Sequence, residues 1–306
     1  MSDVLGSHAE GDLDVLADAA AEGPESARGR RRGGVLGVAG WISVVWLVLV
    51  TGSALLAPWL PIDEPDRADF TVPPNASPGT GGHLLGTEQN GYDIFSRLIW
   101  GGRVSLVVAF GVLAIGMIVG GTIGLVAGFL RGKTEAILMA AVDIFLAFPA
   151  LILLIAVVAF LGADLKNVVL AISLVSIPAF ARISRATTLT FSRREFVLAA
   201  EAAGATRRRI LVREILPNVV LPLLAFGLLV VAIAIVAEGS LAFLGLTSQE
   251  TISWGGMING GRRALQQEDI AHTAMIPAGM MFLTVLAVNF LGDRFRAAFD
   301  VKDAAL

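Results

Sequence analysis

Six blocks of apolar residues constrain the fold of this chain more than any other feature. They cover residues 35–60, 104–129, 136–161, 168–183, 219–243 and 273–291. A transmembrane α-helix needs about 20 consecutive apolar residues, because the hydrocarbon core holds no water to satisfy an open backbone. The chain is 55% hydrophobic and only 16% charged, which is too apolar for a soluble domain. The sequence therefore predicts an all-α, polytopic membrane protein with about six transmembrane helices.

The composition between the blocks divides the chain into segments. An acidic, small-residue stretch at the N-terminus predicts a disordered tail, and the first block is too long for the apolar core of a cleaved signal peptide, which has roughly 7–15 residues. Five prolines follow it in a segment rich in turn residues. The predicted organisation is a cytoplasmic tail (1–33), a first transmembrane helix (34–60), an external loop (61–103), a core transmembrane domain (104–293) with an inner loop (186–216), and a cytoplasmic C-terminal tail (294–306).

The distribution of basic residues predicts the orientation. If the N-terminus lies inside, 17 of the 23 lysines and arginines fall on the inner side, among them the arginine-rich stretch 182–213. Inner loops of membrane proteins carry such an excess of positive charge. We therefore expect both termini to be cytoplasmic.

Four glycines recur at every fourth position of the second block: Gly116, Gly120, Gly124 and Gly128. Residues at this spacing share one face of a helix, and small residues there let another backbone approach closely. The pattern predicts tight helix packing along this face. The simpler alternative is that glycine is common in membrane helices.

Two acidic residues fall within apolar blocks, Asp143 in the third and Glu238 in the fifth. An ionised group at the centre of a bilayer costs about 2.5–3.5 kcal/mol on insertion scales, so each is expected to face protein or water. We predict that they belong to a translocation path or to a subunit interface. The alternative is that they lie at helix ends and reach the headgroups.

Several catalytic and metal-binding classes are excluded by the sequence. Residues 127–134 resemble a phosphate-binding loop, but that motif needs an entering strand, whereas a membrane span enters here. Cysteine is absent and the three histidines are scattered over different segments, so no metal site is expected. We also find no hydrolase motif. The chain is predicted to be no enzyme and to hold no cofactor of its own.

The inner loop contains a pattern of its own. Residues 195–203 favour a helix, and Gly204 is a natural stop before a second, basic helix. This predicts a short, stiff elbow that projects from the membrane and presents small residues to a partner. The alternative is an amphipathic helix lying on anionic lipid through Arg207, Arg208, Arg209 and Arg213.

At this loop the sequence resembles a known family. Ala199-Ala200, three residues, Gly204 and then Leu216-Pro217 resemble the conserved cytoplasmic loop of ABC importer permeases. Further stretches are similar to the dipeptide, oligopeptide and nickel permease branch: 85–87, 93–97, 102–106, 143–149, 240–246, 254–257 and 289–293. The resemblance covers roughly residues 35–300 in order.

This resemblance implies a type I ABC importer permease fold, the second or C-type permease of its system, in a bacterial inner membrane. It implies three kinds of partner besides lipid and no nucleic acid: a second homologous permease, two ATPase subunits that bind ATP and Mg, and an external substrate-binding protein. It implies dipeptides or oligopeptides as substrate, with nickel chelates and haem as alternatives.

The resemblance also implies which residues dock the ATPase subunit: Glu195, Phe196, Leu198, Ala199, Ala200, Glu201, Ala203, Gly204, Ala205, Thr206 and Arg207. Leu198 stands where the family usually has Glu, so Glu195 or Glu201 is the alternative acidic contact. The main rivals are a secondary transporter or channel, which would show ion-binding clusters and repeat symmetry, and a membrane-embedded hydrolase. The sequence shows neither signature.

Overall fold

The structure, a computed structural model, describes residues 37–248, 251–266 and 270–303, with side chains up to residue 297. The predicted tail 1–33 lies outside these ranges. The described residues form helices and two isolated β-bridges, with no strand among them, so the predicted all-α class is confirmed. The helices are α1 (Gly37–Leu56), α2 (Ile94–Leu130), α3 (Gly132–Leu146), α4 (Ala150–Leu161), α5 (Leu165–Phe191), α6 (Glu195–Ala202), α7 (Arg207–Phe243), α8 (Trp254–Gly261) and α9 (His272–Asp303).

Within the described part of the chain, helices α1, α2, α5, α7 and α9 are each long and apolar enough to cross a bilayer. Helices α3 and α4 supply a sixth crossing if the pair is counted as one span, but they meet at an angle of 85°. The break lies at Pro149, because proline has no N–H to donate and restricts the residue before it. The predicted third span, 136–161, is therefore a broken helix rather than a continuous one.

Several helices extend beyond their apolar blocks. Helix α2 begins at Ile94, inside the predicted loop 61–103, because the Asp93 carboxylate accepts a hydrogen bond from the Ser96 N–H at 2.7 Å and caps the helix. Helix α5 continues eight residues past the end of its block at 183, and α9 runs through the described part of the predicted tail 294–306. A hydropathy average does not detect these ends, and at the start of α2 the end depends on the single Asp93 side chain.

Helix α5 lies at the centre of the bundle and contacts α2, α3, α4 and α7, while α7 also packs on α2 and α9. Its Phe180 side chain is fully buried and meets the Phe226 ring of α7 edge-on, with 5.1 Å between the centroids. Helix α1 joins the bundle through the Trp46 indole N–H, which donates to the Thr284 hydroxyl at 3.2 Å. The opposite face of α1 leaves large apolar side chains exposed, as expected where lipid covers a helix.

Candidate functional site

The inner loop folds into a fixed elbow that comprises residues 195–209. It consists of α6, the turn that follows it and the first residues of α7. The Ala205 N–H donates to the Ala200 carbonyl at 3.0 Å and the Gly204 N–H to the Glu201 carbonyl at 2.9 Å, which is the hydrogen-bond pattern of a Schellman turn. Gly204 has a φ of +77°, a conformation that favours glycine. The Thr206 hydroxyl then accepts from the Arg209 N–H at 3.4 Å and caps the start of α7. Hydrogen bonds at both ends of the turn, from the backbone at one end and from the Thr206 side chain at the other, therefore define its shape.

One side of the elbow is anchored and the other is open. Val197 and Ile210 are buried, and α6 packs through this side on the first turns of α7. Phe196 and Leu198, at 39% and 55% exposed, lie on the open side. None of the docking residues named from the sequence is buried; Ala200 and Ala205 are half-buried, and the others are exposed: Glu195, Phe196, Leu198, Ala199, Glu201, Ala203, Gly204, Thr206 and Arg207.

Basic side chains surround the open side of the elbow. They are exposed at positions 193, 194, 207, 208, 209 and 213. The Arg131 guanidinium, just after α2, donates to the Ser192 hydroxyl, just after α5, at 3.1 Å. The ends of α2 and α5 therefore meet beside the elbow, and we call this end of the bundle the elbow end.

A second candidate site is the polar groove between α3 and α5. Arg182 pairs with Asp143, with 2.7 Å between Nη2 and Oδ1, and Arg185 Nε donates to Glu135 Oε1 at 2.6 Å. The Asp143 and Arg182 side chains are 54% and 56% exposed. The groove has a volume of about 600 Å³, is open on one side, and is lined by Gly132, Glu135, Ala136, Met139, Asp143, Arg182 and Arg185.

The depth of these charges limits what the groove can face. Arg182 lies nine residues before the end of α5 at the elbow end, or about 14 Å at the rise of an α-helix. Asp143 lies eleven residues into α3, or about 16 Å. Asp143 lies within the apolar block 136–161 and Arg182 near the end of the block 168–183, where ionised side chains face protein or water.

Glu238, the other acidic residue of the apolar blocks, has a different environment. Its side chain is 1% exposed and accepts a hydrogen bond from the Ser105 hydroxyl of α2 at 3.1 Å, and Ser253, just before α8, is a second partner. Trp254 lies beside this contact, fully buried, and donates its indole N–H to the Leu98 carbonyl at 2.9 Å. Glu238 therefore links α2, α7 and α8 inside the bundle, whereas the Asp143 side chain is partly exposed at its surface.

The four glycines of α2 all face α5, and we call this contact the glycine seam. A Cβ added to Gly120 would lie 2.5 Å from the Ile177 carbonyl oxygen, and one added to Gly128 would lie 2.8 Å from that of Arg185. A Cβ added to Gly116 would lie 2.6 Å from the Phe180 ring, and one added to Gly124 would lie even closer to the Ala181 carbonyl oxygen. No side chain beyond hydrogen fits along this face of α2.

The external loop is organised around His83. Its Nδ1 lies 2.9 Å from Asp93 Oδ1 and its Nε2 3.2 Å from Asp69 Oδ2. Burial alone would lower the pKa of His83, but these two carboxylates outweigh it and raise that pKa. Asp63 approaches the same group closely enough for Asp63, His83 and Asp93 to surround an ion. Both imidazole nitrogens already face carboxylates, so the geometry is that of an ion-paired imidazolium.

These partnerships were not visible in the sequence. Asp143 and Arg182 are 39 residues apart, Glu135 and Arg185 are 50 apart, and Glu238 and Ser105 are 133 apart. The one available signal was the spacing of Arg182 and Arg185, which places two charges on the same face of an otherwise apolar helix. His83 offered no signal, because its partners follow the fold of an irregular loop.

Among solved structures, the chain is similar to the inward-facing MetNI methionine ABC transporter, with a TM-score of 0.55 at 20% identity over 66% of this chain and 95% of that one. This likeness shows the fold, and it confirms the expected permease architecture. The chain is 37% identical to the glutathione transport system permease protein GsiD of Pectobacterium atrosepticum, over 84% of this chain and 85% of the relative. It is also 37% identical to the di/tripeptide transport system permease protein DppC of Pseudomonas aeruginosa, over 85% and 86%.

A family model described as the binding-protein-dependent transport system inner membrane component matches residues 120–302, which include the elbow, the polar groove and most of the glycine seam. The resemblance expected from the loop around Gly204 is thus confirmed. This chain belongs to the family of inner membrane permease components of binding-protein-dependent transport systems.

Proposed function

We propose that this chain is the C-type permease of an ATP-driven importer of short peptides and forms half of the translocation path. The observation that carries this proposal is the elbow, a rigid turn with an open, partly apolar surface that is attached to α7. Relatives that are 37% identical are a glutathione permease and a di/tripeptide permease, and their names support a short peptide as substrate. ATP and Mg would be bound and ATP hydrolysed by partner subunits.

The complex would contain a second, homologous permease, two ATPase subunits and an external substrate-binding protein. The excess of arginine at the elbow end supports placing that end, and both termini, on the cytoplasmic side of a bacterial inner membrane. The open side of the elbow would then meet the ATPase subunit, and the external loop around His83 would face the binding protein.

The contacts of the elbow would allow it to transmit a displacement of α6 to α7. Because Val197 and Ile210 join α6 to the start of α7, a displacement of α6 moves the elbow end of α7. Helix α7 packs on α2 and α9 along its length, and near its far end Glu238 ties it to Ser105. Nucleotide binding to the partner would shift the balance between inward-open and outward-open states through this rigid connection.

The proposal is tested with the chain co-expressed with the ATPase subunit of its own system. Ala199→Trp adds bulk to the exposed face of α6 without touching the core, so it should abolish co-purification of the ATPase subunit and peptide-stimulated ATP hydrolysis. Leu84→Arg, at an exposed position of the external loop, is the control and should leave co-purification of the ATPase subunit unchanged. Normal ATPase binding by the Ala199→Trp variant would refute docking at the elbow.

A further inference from the structure

The polar groove contains a net-neutral set of four charges, of which Asp143 and Arg182 lie within apolar blocks. Asp143 and Glu135 on α3 face Arg182 and Arg185 on α5, and the pairs are exposed enough for another molecule to reach them. The remaining lining residues, Gly132, Ala136 and Met139, are small or flexible. Neither pair is therefore sealed by the bundle, in contrast to Glu238.

The size and depth of the groove limit its occupant. Its volume of about 600 Å³ is within the range of ligand sites in proteins. Lipid tails would leave the ionised Asp143 and Arg182 side chains without water, which argues against lipid tails as the occupant. The occupant must instead offer charges of both signs.

We propose that the polar groove is a transient contact site for zwitterionic short peptides during translocation. Arg182 and Arg185 receive the terminal carboxylate, and Asp143 and Glu135 receive the terminal ammonium. This inference rests on the proposed function, because it assumes that the groove lines the path of a peptide importer. It assigns substrate contacts to this chain in addition to any made by the binding protein.

An exchange of ion-pair partners explains why the groove suits a translocation path. A zwitterion that inserts between Arg182 and Asp143 replaces one ion pair with two, so no charge is left unpaired. A ligand with a single charge leaves one protein charge without a partner inside the membrane. The exchange is nearly balanced in energy, and a translocation path needs contacts weak enough to release the substrate again.

The test uses the complete transporter reconstituted in proteoliposomes, with import of the dipeptide Ala-Ala measured per ATP hydrolysed. Arg182→Gln and Asp143→Asn should each lower import by about tenfold, as expected for loss of a charge-assisted contact. The double variant D143N/R182Q should stay low, because both contacts are missing. The control D164N/K166Q neutralises an exposed ion pair at the other end of α5 and should import normally.

Restoration of import in D143N/R182Q would overturn the proposal, because it would show that the two charges only compensate each other. A second measurement decides the matter if that variant assembles poorly. Met139→Cys places a single thiol in the groove of a chain that has no cysteine. Ala-Ala should slow its labelling by a maleimide during turnover, and labelling unaffected by Ala-Ala would also overturn the proposal.

These outcomes differ from failure of the proposed function. If the wild-type complex imports no peptide, the importer proposal fails. If the wild type imports Ala-Ala and D143N/R182Q imports it equally well, the groove proposal alone fails.

Discussion

Helix α5 forms two boundaries with opposite properties. Against α2 it forms the glycine seam, where backbone meets backbone and no additional carbon atom fits. Against α3 it forms the polar groove, where paired charges stay partly exposed. Small residues and close packing make the first boundary rigid, whereas exchangeable ion pairs keep the second open. One helix thus separates the part of the bundle that must keep its shape from the part that meets another molecule.

The largest expected effect tests the rigidity of the seam. Gly124→Leu would force a side chain into the Ala181 carbonyl and the Ser184 side chain, and should destabilise the bundle by at least about 3 kcal/mol. The same substitution at Gly279 of α9, where a Cβ meets open space, is the control and should leave the protein folded. The yield of monodisperse protein in detergent measures both. A well-folded Gly124→Leu variant would remove the basis for calling the seam rigid.

A smaller effect is expected from the buried hydrogen bond across the seam. The Ser184 hydroxyl donates to the Gly121 carbonyl at 2.6 Å, and Ser184→Ala leaves that carbonyl unsatisfied in a dry contact. The cost should be about 1–3 kcal/mol, seen as a lower midpoint of thermal unfolding. Thr190→Ala removes a comparable but exposed hydroxyl from the same helix and should change the midpoint little. Equal effects for the two variants would argue against a special role for the seam.

The groove pair should contribute little to stability. Exposed ion pairs are worth about 0–1 kcal/mol, so the double variant D143N/R182Q should unfold at nearly the wild-type midpoint. Together with its expected loss of import, this result would separate function at the groove from stability at the seam. A loss of stability as large as that of Ser184→Ala would mean that the groove is a structural contact instead.

The smallest effect concerns pH and the external loop. The raised pKa of His83 means that its ion pairs stabilise the loop fully below the ordinary histidine pKa of about 6.5, and that this contribution is lost as pH rises through the raised value. Hydrogen exchange in residues 61–93 should therefore be faster at high pH than chemical exchange alone predicts. His83→Gln should abolish this additional exchange at high pH, whereas His272→Gln should retain it. Residues of the glycine seam should show no such additional exchange. An excess that survives His83→Gln would assign it to another group.

The sequence was sufficient to predict the architecture. The lengths of the apolar blocks, in a chain too apolar to be a soluble domain, predicted about six spans. The loop pattern around Gly204 identified the family. Prediction from the sequence failed at the ends and breaks of helices. Asp93 starts α2 in a segment with ordinary loop composition, and Pro149 breaks a block whose hydropathy is continuous. A cap or a break depends on one side chain and is not visible in a hydropathy average.

The sites were only partly predictable. Asp143 and Glu238 have the same signature in the sequence, an acid in an apolar block, yet one lies in an open groove and the other is enclosed by serines. Their partners come from distant helices, so the packing of the bundle determines the difference. The docking role of the elbow, from Glu195 to Arg207, stays a prediction that the fold makes geometrically reasonable.

Disulfide trapping can show whether the elbow contacts the ATPase subunit, because the chain has no cysteine and any single thiol is unique. Leu198→Cys places that thiol on the open side of the elbow, and Leu84→Cys places it in the external loop. With cysteines introduced across the surface of the ATPase subunit, the account predicts a cross-link from position 198 whose yield changes with ATP, and none from position 84. Absence of any cross-link from position 198 in an actively transporting complex would contradict the claim that the elbow is where ATP hydrolysis is coupled to transport.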